Sequence, residues 1–299
     1  MRRKWHALAF VIMLGVLILL SYSVFAAGGT TTWVSFINVG QGDSILVQVG
    51  GGFDVLIDGG DKNAGDDVLA YLRSRSVDDI DVMVATHADA DHIGGLIDVL
   101  AADDIPVERV LFNGYPGTSK TWENFVAAVA AEGLTLEATS YPDTHLWGAV
   151  TVYILNPLPG LTNPNQNDAS VVILIDHMNI EILLTGDVEE SVELDVASRG
   201  IPYWIGSECC AEVLKVAHHG SNSSTSVNFL ATVQPDDAVI SVGDNSYGHP
   251  SDEILARLSG ADVTVWRTDE KGTILAISSG ISVELMDLLK RVFVPVVQK

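Results

Sequence analysis

One arrangement recurs along this chain and limits what it can fold into: strand-length apolar runs that each stop at a cluster of histidine, aspartate or glycine. "DIDVMVAT" leads into "HADADHIGG", "IEILL" into "TGD", "EVLKVA" into "HHGSNSSTS", and "DAVISVG" is soon followed by "YGHPS". Apolar runs of four to eight residues bounded by turn residues read as buried strands. Between them lie stretches with helical spacing: "DDVLAYLRSR", "HIGGLIDVLAA", "TWENFVAAVAAEG", "VEESVELDVASR", "VNFLATV" and "SDEILARL". Strand clusters broken by helices predict a layered α/β domain with sheets inside and helices outside. Sites in such folds are commonly built from the loops at strand ends.

The first three strands, "TTWVSFINV", "SILVQV" and "FDVLIDGG", are separated by glycines and so are expected to be antiparallel neighbours. "VERVLFN", "LTLEATS" and "AVTVYILN" follow, then "VVILID" and "IEILLTGD" paired across "HMN", and at the end "DVTVWRT" and "GTILAIS". There is no internal repeat.

The N-terminus has its own grammar. "MRRKW" is basic, "ALAFVIMLGVLILL" is an uncharged apolar run, and "SYSVFAAGG" offers Val24 and Ala26 at the spacing of a cleavage site. This is the pattern of a secretory signal. An uncleaved anchor is the alternative, since residues 7–24 approach the ~20 apolar residues that span a bilayer. Either way the remainder is expected outside the cytoplasm, secreted or held by one membrane segment. The division expected is residues 1–27 as leader, 28–279 as one domain and 280–299 as a tail. The net charge of −23 argues against a broad basic surface for nucleic acid. The two cysteines, Cys209 and Cys210, are adjacent and make no disulfide framework.

"ATHADADHIGG" crowds His87, Asp89, Asp91 and His92 into six residues. Imidazole and carboxylate are borderline-to-hard donors that suit Zn²⁺ or Mn²⁺, and one extended loop can serve two metals roughly 3.5–4 Å apart. A helix cap at Asp91 accounts for one aspartate but not for two histidines. Asp187, after Thr-Gly at the end of "EILL", is a second signal; alone it reads equally as turn chemistry. His218 and His219 stand at another strand end, ahead of a hydroxyl-rich loop. His249 stands at a strand-to-helix turn. Five of the eight histidines thus fall at strand-end loops; His6, His145 and His177 read as structural.

In this order the motifs "VGQGDSILV", "LIDGGD", "THADADHIGG", "NDASVVILI", "LLTGDVE", "LKVAHHGSNSSTS", "YGHPS" and "WRTDEKGTI" resemble the metallo-β-lactamase-fold domain of the ComEC-type competence proteins, over residues 32–279. The resemblance implies an αββα sandwich with a metal site along one edge of the paired sheets. It implies His87 and Asp89 at a first metal, Asp91, His92 and His218 at a second, and Asp187 bridging the two. The remaining ligand is expected in "PNQNDAS", at Asp168 or its neighbour Asn167. Where the superfamily usually has a second histidine this chain has Asp89, which hardens the first position and brings manganese in beside zinc. Asp43 and Asp58 are expected as supports that orient the metal loop. Lys215, Ser221, Ser224 and His249 are expected to hold substrate, and Asp91, His219 and His249 to take part in catalysis.

The activity this implies is hydrolysis by water activated at two divalent metals, Zn or Mn, with a phosphodiester of DNA or a nucleotide as substrate. Phosphorylcholine or other wall and lipid phosphodiesters are the alternative; "VGQGDS" also resembles phosphorylcholine esterases of the same fold. Thioester or β-lactam hydrolysis stays open on fold grounds. A metal-bearing domain without activity is a reading of a different class, although such a domain has no reason to keep every ligand. The chain has at most one membrane segment, so it contains no DNA channel of its own. The apolar tail is expected either to pack on the core or to dock a protein or membrane surface.

Overall fold

A computed structural model describes residues 31–162, 164–200 and 211–288. The leader, the cysteine pair and the last eleven residues lie outside these. Among the described residues no helix is long and apolar enough to cross a membrane.

Residues 32–57 form an antiparallel meander of β1 (Thr32–Phe36), β2 (Ile45–Val49) and β3 (Phe53–Ile57). Helix α1 (Gly65–Ser74) then crosses over to β4 (Val82–Ala85), which pairs parallel with β3. The "HIGGLIDVLAA" run folds as two short helices, α2 (Ala90–Ile93) and α3 (Leu96–Leu100), rather than one. The break falls at Gly94 and Gly95, where the chain presses on its neighbours: a Cβ at Gly95 would collide with the backbone carbonyl of Gly59. Next come β5 (Val110–Phe112), α4 (Lys120–Ala131, capped by the Ser119 hydroxyl) and β6 (Leu136–Ala138).

The second half begins with an unexpected strand, β7 (Thr144–Trp147), paired to β8 (Val150–Asn156). It is a four-residue edge strand with only Trp147 buried, so it carries too little apolar signal to read from sequence. Then follow β9 (Val172–His177) and β10 (Ile180–Leu184), paired across the expected hairpin. Helix α5 (Glu190–Gly200), β11 (Val213–Lys215), α6 (Val227–Val233), β12 (Asp237–Ile240), α7 (Asp252–Gly260), β13 (Thr264–Arg267), α8 (Thr268–Lys271) and β14 (Ile274–Ser278) complete the alternation. The tail adds β15 (Val283–Asp287), antiparallel to β14. The folded unit therefore runs past the boundary expected at 279.

The strands make two sheets, eight in the order β15-β14-β1-β2-β3-β4-β5-β6 and seven in the order β13-β12-β11-β10-β9-β8-β7. Strand β9 shows why they stack. Ile173 and Ile175 join the cluster that also holds Phe36, Val47 and Ile57 of the other sheet, while Val172 and Leu174 pack with Phe229, Leu230 and Leu258 of the helices. A strand buried on both faces is apolar throughout, and each such side chain contributes roughly 1.5–3 kcal/mol. A third cluster packs α1, α3 and α4 on the first sheet. The layers are helix, sheet, sheet, helix, the αββα sandwich.

Candidate metal centre

The loop from β4 into α2 carries the first donors. Thr86 anchors it: its N–H donates to Asp58 Oδ1 (2.9 Å) and its hydroxyl to Asp58 Oδ2 (2.6 Å). Asp58 Oδ2 also lies 2.7 Å from His92 Nδ1, which turns Nε2 of that ring toward Asp187 Oδ2 at 3.3 Å. His87 faces Thr86 and Ser170 with Nδ1, at 3.1 and 3.3 Å, and so points Nε2 inward. Asp43 braces the loop from β1–β2. Its N–H donates to the Asp91 carbonyl (3.2 Å), and its Oδ2 meets Lys215 Nζ at 2.5 Å.

The second sheet delivers Asp187, after β10, and His219, in the short 3₁₀ turn Ala217–Gly220 after β11. These strands are parallel neighbours, with Leu184 beside Lys215, so their ends arrive together. His218 and His219 both hold left-handed backbones, φ 51° and 54°. Such residues are uncommon and costly for a side chain with a Cβ. The turn sends His219 inward: Nδ1 donates to the Ser241 carbonyl (3.0 Å), and Nε2 lies 3.4 Å from both Asp91 Oδ2 and Asp187 Oδ2.

Donor atoms of seven residues form overlapping groups of three within 4.8 Å: His87, His92 and Asp187; Asp91, His92 and His219; Asp43, Asp58 and His92; Asp43, Asp187 and His219. The Nε2 atoms of His87, His92 and His219, and Oδ1 of Asp187, are buried and make no well-aligned hydrogen bond, although carboxylate oxygens lie 3.3–3.7 Å from the three rings. Buried polar atoms almost always have one. A convergent set of nitrogen and carboxylate donors left so is what a divalent cation satisfies, and the absence of sulfur fits Zn²⁺ or Mn²⁺. The residues fit such an ion.

The electrostatics agree. Burial opposes charge on His92, yet Asp187 and Asp58 outweigh it and raise the imidazole well above its usual range. For His219, burial is likewise outweighed by Asp187 and Asp43. Burial and then the neighbouring His92 push His87 down to about 3. Burial would raise Asp187, but His219 and His92 hold it well below the usual carboxylate range. Without metal, protons held on His92 and His219 balance the charge of the ionised carboxylates; metal binding would displace those protons.

The structure therefore gathers four of the seven expected ligands, His87, Asp91, His92 and Asp187. Asp89 stands at the edge, half-exposed, with Oδ2 3.7 Å from His87 Nε2. Other expected residues lie apart from the converging donors. His218 lies outside the groups, its Nε2 4.0 Å from Asp187 and its Nδ1 3.4 Å from Glu189, because the left-handed turn gives the inward place to His219. The sequence could not rank adjacent histidines, since the alternation of a strand fails where φ turns positive. Asp168 is occupied elsewhere: its oxygens accept from Glu189 N–H (3.1 Å) and Ser191 Oγ (2.7 Å) at the start of α5. Lys215, Ser221 and Ser224, expected to hold substrate, are buried. Lys215 is wholly buried against Asp43, Ser224 is wholly buried and Ser221 nearly so. Asp43 and Asp58 contact Lys215 and His92 respectively, and His249 lies at the rim, its ring edge-on to His218 at 5.6 Å. Of the other histidines, His177 is buried beside Ser278 Oγ (2.8 Å) and His145 sits near Thr139.

A family model for the metallo-β-lactamase superfamily matches residues 37–244. The chain belongs to that superfamily and is, by class, a metal-dependent hydrolase. It is similar to ComE operon protein 3 of Bacillus subtilis, 31% identical, over 81% of this chain and 32% of that protein. Recombination protein 2 of Haemophilus influenzae is 30% identical over 81% of this chain and 28% of its own length. The chain thus spans about a third or less of these relatives. Among solved structures, the metallo-β-lactamase fold protein YhfI of Bacillus subtilis matches with a TM-score of 0.51 at 11% identity, over 81% of this chain and 98% of that one. At that identity the likeness is one of fold.

Proposed function

We propose that this chain is a phosphodiesterase with two divalent metals, acting on DNA or nucleotides outside the cytoplasm. The observation that carries the reading is the convergence of His and Asp donors at the strand ends, His87, His92 and His219 with Asp43, Asp58, Asp91 and Asp187, several of them buried without a hydrogen-bond partner. Two metals supply, when bound, a lowered pKa for water and a positive clamp on the oxygens of an in-line displacement. The chain's own residues do the rest. His87, Asp91, His92, Asp187 and His219 would hold the ions, with Asp89 beside His87. Asp58, Asp43 and Lys215 fix the orientation of the rings and of the loop. His218 and His249, side by side at the rim, are placed to steady charge on the phosphoryl group or to give a proton to the leaving oxygen. The reading of DNA draws support from a relative named for recombination; the reading of export rests on the leader.

One observation favours a second substrate. A cavity of about 550 Å³ beside Asp91 is walled by Asp61, Asp67 and Asp244 as well. Those carboxylates suit a small phosphodiester with a cationic head, such as phosphorylcholine, better than a long polyanion.

The test is turnover of bis-p-nitrophenyl phosphate by the full chain, stripped of metal and reloaded with Zn²⁺ or Mn²⁺. Metal-dependent hydrolysis that disappears in Asp187→Asn is the expected result. Hydrolysis of a thioester or nitrocefin, with none of the phosphodiester, would replace the reading.

A further inference from the structure

Tyr247 is 73% exposed, the one aromatic among the large side chains that stand open to solvent in the described residues. It is nonetheless held in place. The Asn245 side chain clamps its loop: Oδ1 accepts from the N–H groups of Tyr247, Gly248 and His249 (3.0, 3.0 and 3.1 Å), and Nδ2 donates to the carbonyls of Gly243 and His249 (2.8 Å each). One face of the Tyr247 ring stacks on His249, with centroids 5.7 Å apart and planes 29° apart. His249 is edge-on to His218, and His218 Nε2 lies 4.0 Å from Asp187. A line of rings thus runs from the metal centre to an open aromatic face. Tyr247 also borders the acidic cavity that begins at Asp91.

We propose that Tyr247 is a stacking platform for the terminal base of a nucleotide or nucleic-acid substrate whose phosphodiester lies at the metal centre. The proposal rests on the phosphodiesterase reading above and names what sits next to the cleaved bond. Every base has a π-face, so one fixed, open ring accepts any of them. Because Asn245 already orders the loop, little freedom is lost when a base lands there. Whatever the cavity's carboxylates offer a cation, the Tyr247 ring itself serves an ammonium head group less well than a base. Such a head group is held best by several faces in a desolvated cage; here one ring is offered, with one face against His249, and no other aromatic among the described residues lines the cavity. Asp61, Asp67 and Asp244 repel a further phosphate, so the unit on Tyr247 ends the strand.

The experiment is calorimetric binding to the metal-loaded full chain. The ligands are the phosphorothioate analogue of dithymidine monophosphate, which resists hydrolysis, its counterpart lacking both bases, and glycerophosphocholine. Wild type is expected to bind the base-bearing ligand about tenfold more tightly than the abasic one. In Tyr247→Ala that ratio falls below about twofold, and in Tyr247→Phe it is kept, since the face and not the hydroxyl makes the contact. Equal binding of both ligands by wild type, or a ratio unmoved by Tyr247→Ala, overturns the proposal. So does Tyr247-dependent binding of glycerophosphocholine in place of the dinucleotide, which would make the cavity a head-group site. Hydrolysis of the unmodified dinucleotide is followed separately by chromatography. Base-dependent binding without turnover sinks the phosphodiesterase reading and supports the stacking.

Discussion

The two halves of the sandwich build their shares of the candidate metal centre by different means. The first sheet supplies His87, Asp91 and His92 from one loop, laced down by Asp43 N–H to the Asp91 carbonyl and Gly59 N–H to the His92 carbonyl. The second sheet supplies single residues, Asp187 and His219, from the ends of parallel strands β10 and β11. On one side, close packing of a short loop sets the geometry. On the other, strand order sets it, and one left-handed turn decides which histidine faces in. A loop of the first kind is rigid because its supports are many; a turn of the second kind depends on few.

That contrast can be broken most sharply at the adjacent histidines. His219→Ala should weaken metal binding by on the order of 100-fold or more, beyond the range for a residue that merely supports a ligand. His218→Ala should keep its metal and lose turnover. Metal titration of both variants checks this, and the reverse pattern would return His218 to the ligand set. A smaller effect is expected in the laced loop. Gly95→Ala forces a Cβ into the Gly59 carbonyl and should destabilise the fold by about 1–3 kcal/mol. Urea unfolding measures it; a neutral result would mean that the loop is less tightly packed than its contacts imply.

The smallest effect lies at the opposite end of the second sheet, away from the metal. Burial, and then the Glu212 carboxylate beside it, push Glu181 from its ordinary 4.5 up to about 7. A carboxyl whose folded pKa is raised contributes stability that is full below 4.5 and lost as pH rises through 7. Thermal unfolding of the metal-loaded chain should therefore show a falling Tm across that window, and Glu181→Gln should flatten it. An unchanged slope in the variant would assign the fall to other groups.

What the sequence made legible follows the same division. The metal loop could be read because its donors are contiguous: no packing reason crowds His87, Asp89, Asp91 and His92 together. The strands buried on both faces were equally plain, as in "VVILID". Long-range donors were harder. Asp187 was found by its motif, but Asp168 and Asn167 could not be separated because the partners that capture Asp168, Glu189 and Ser191, come twenty-odd residues later. Lys215 looked like a substrate group because lysine is usually exposed; only the tertiary fold sets it against Asp43. Edge strands β7 and β15 were missed, β7 for want of buried residues and β15 because the family resemblance stops before it. The role of Tyr247 is invisible without the structure, since exposure and the Asn245 clamp have no local signature.

The central claim is that the buried, unpartnered donors are a divalent-metal centre with Asp187 at its heart. Metal content after dialysis against Zn²⁺ or Mn²⁺ tests it most directly, with the full chain and Asp187→Asn side by side. The account predicts two ions per wild-type chain and fewer than one in the variant, with the fold of both intact by circular dichroism. A wild-type chain that retains no metal, or a variant that still holds two, would contradict it.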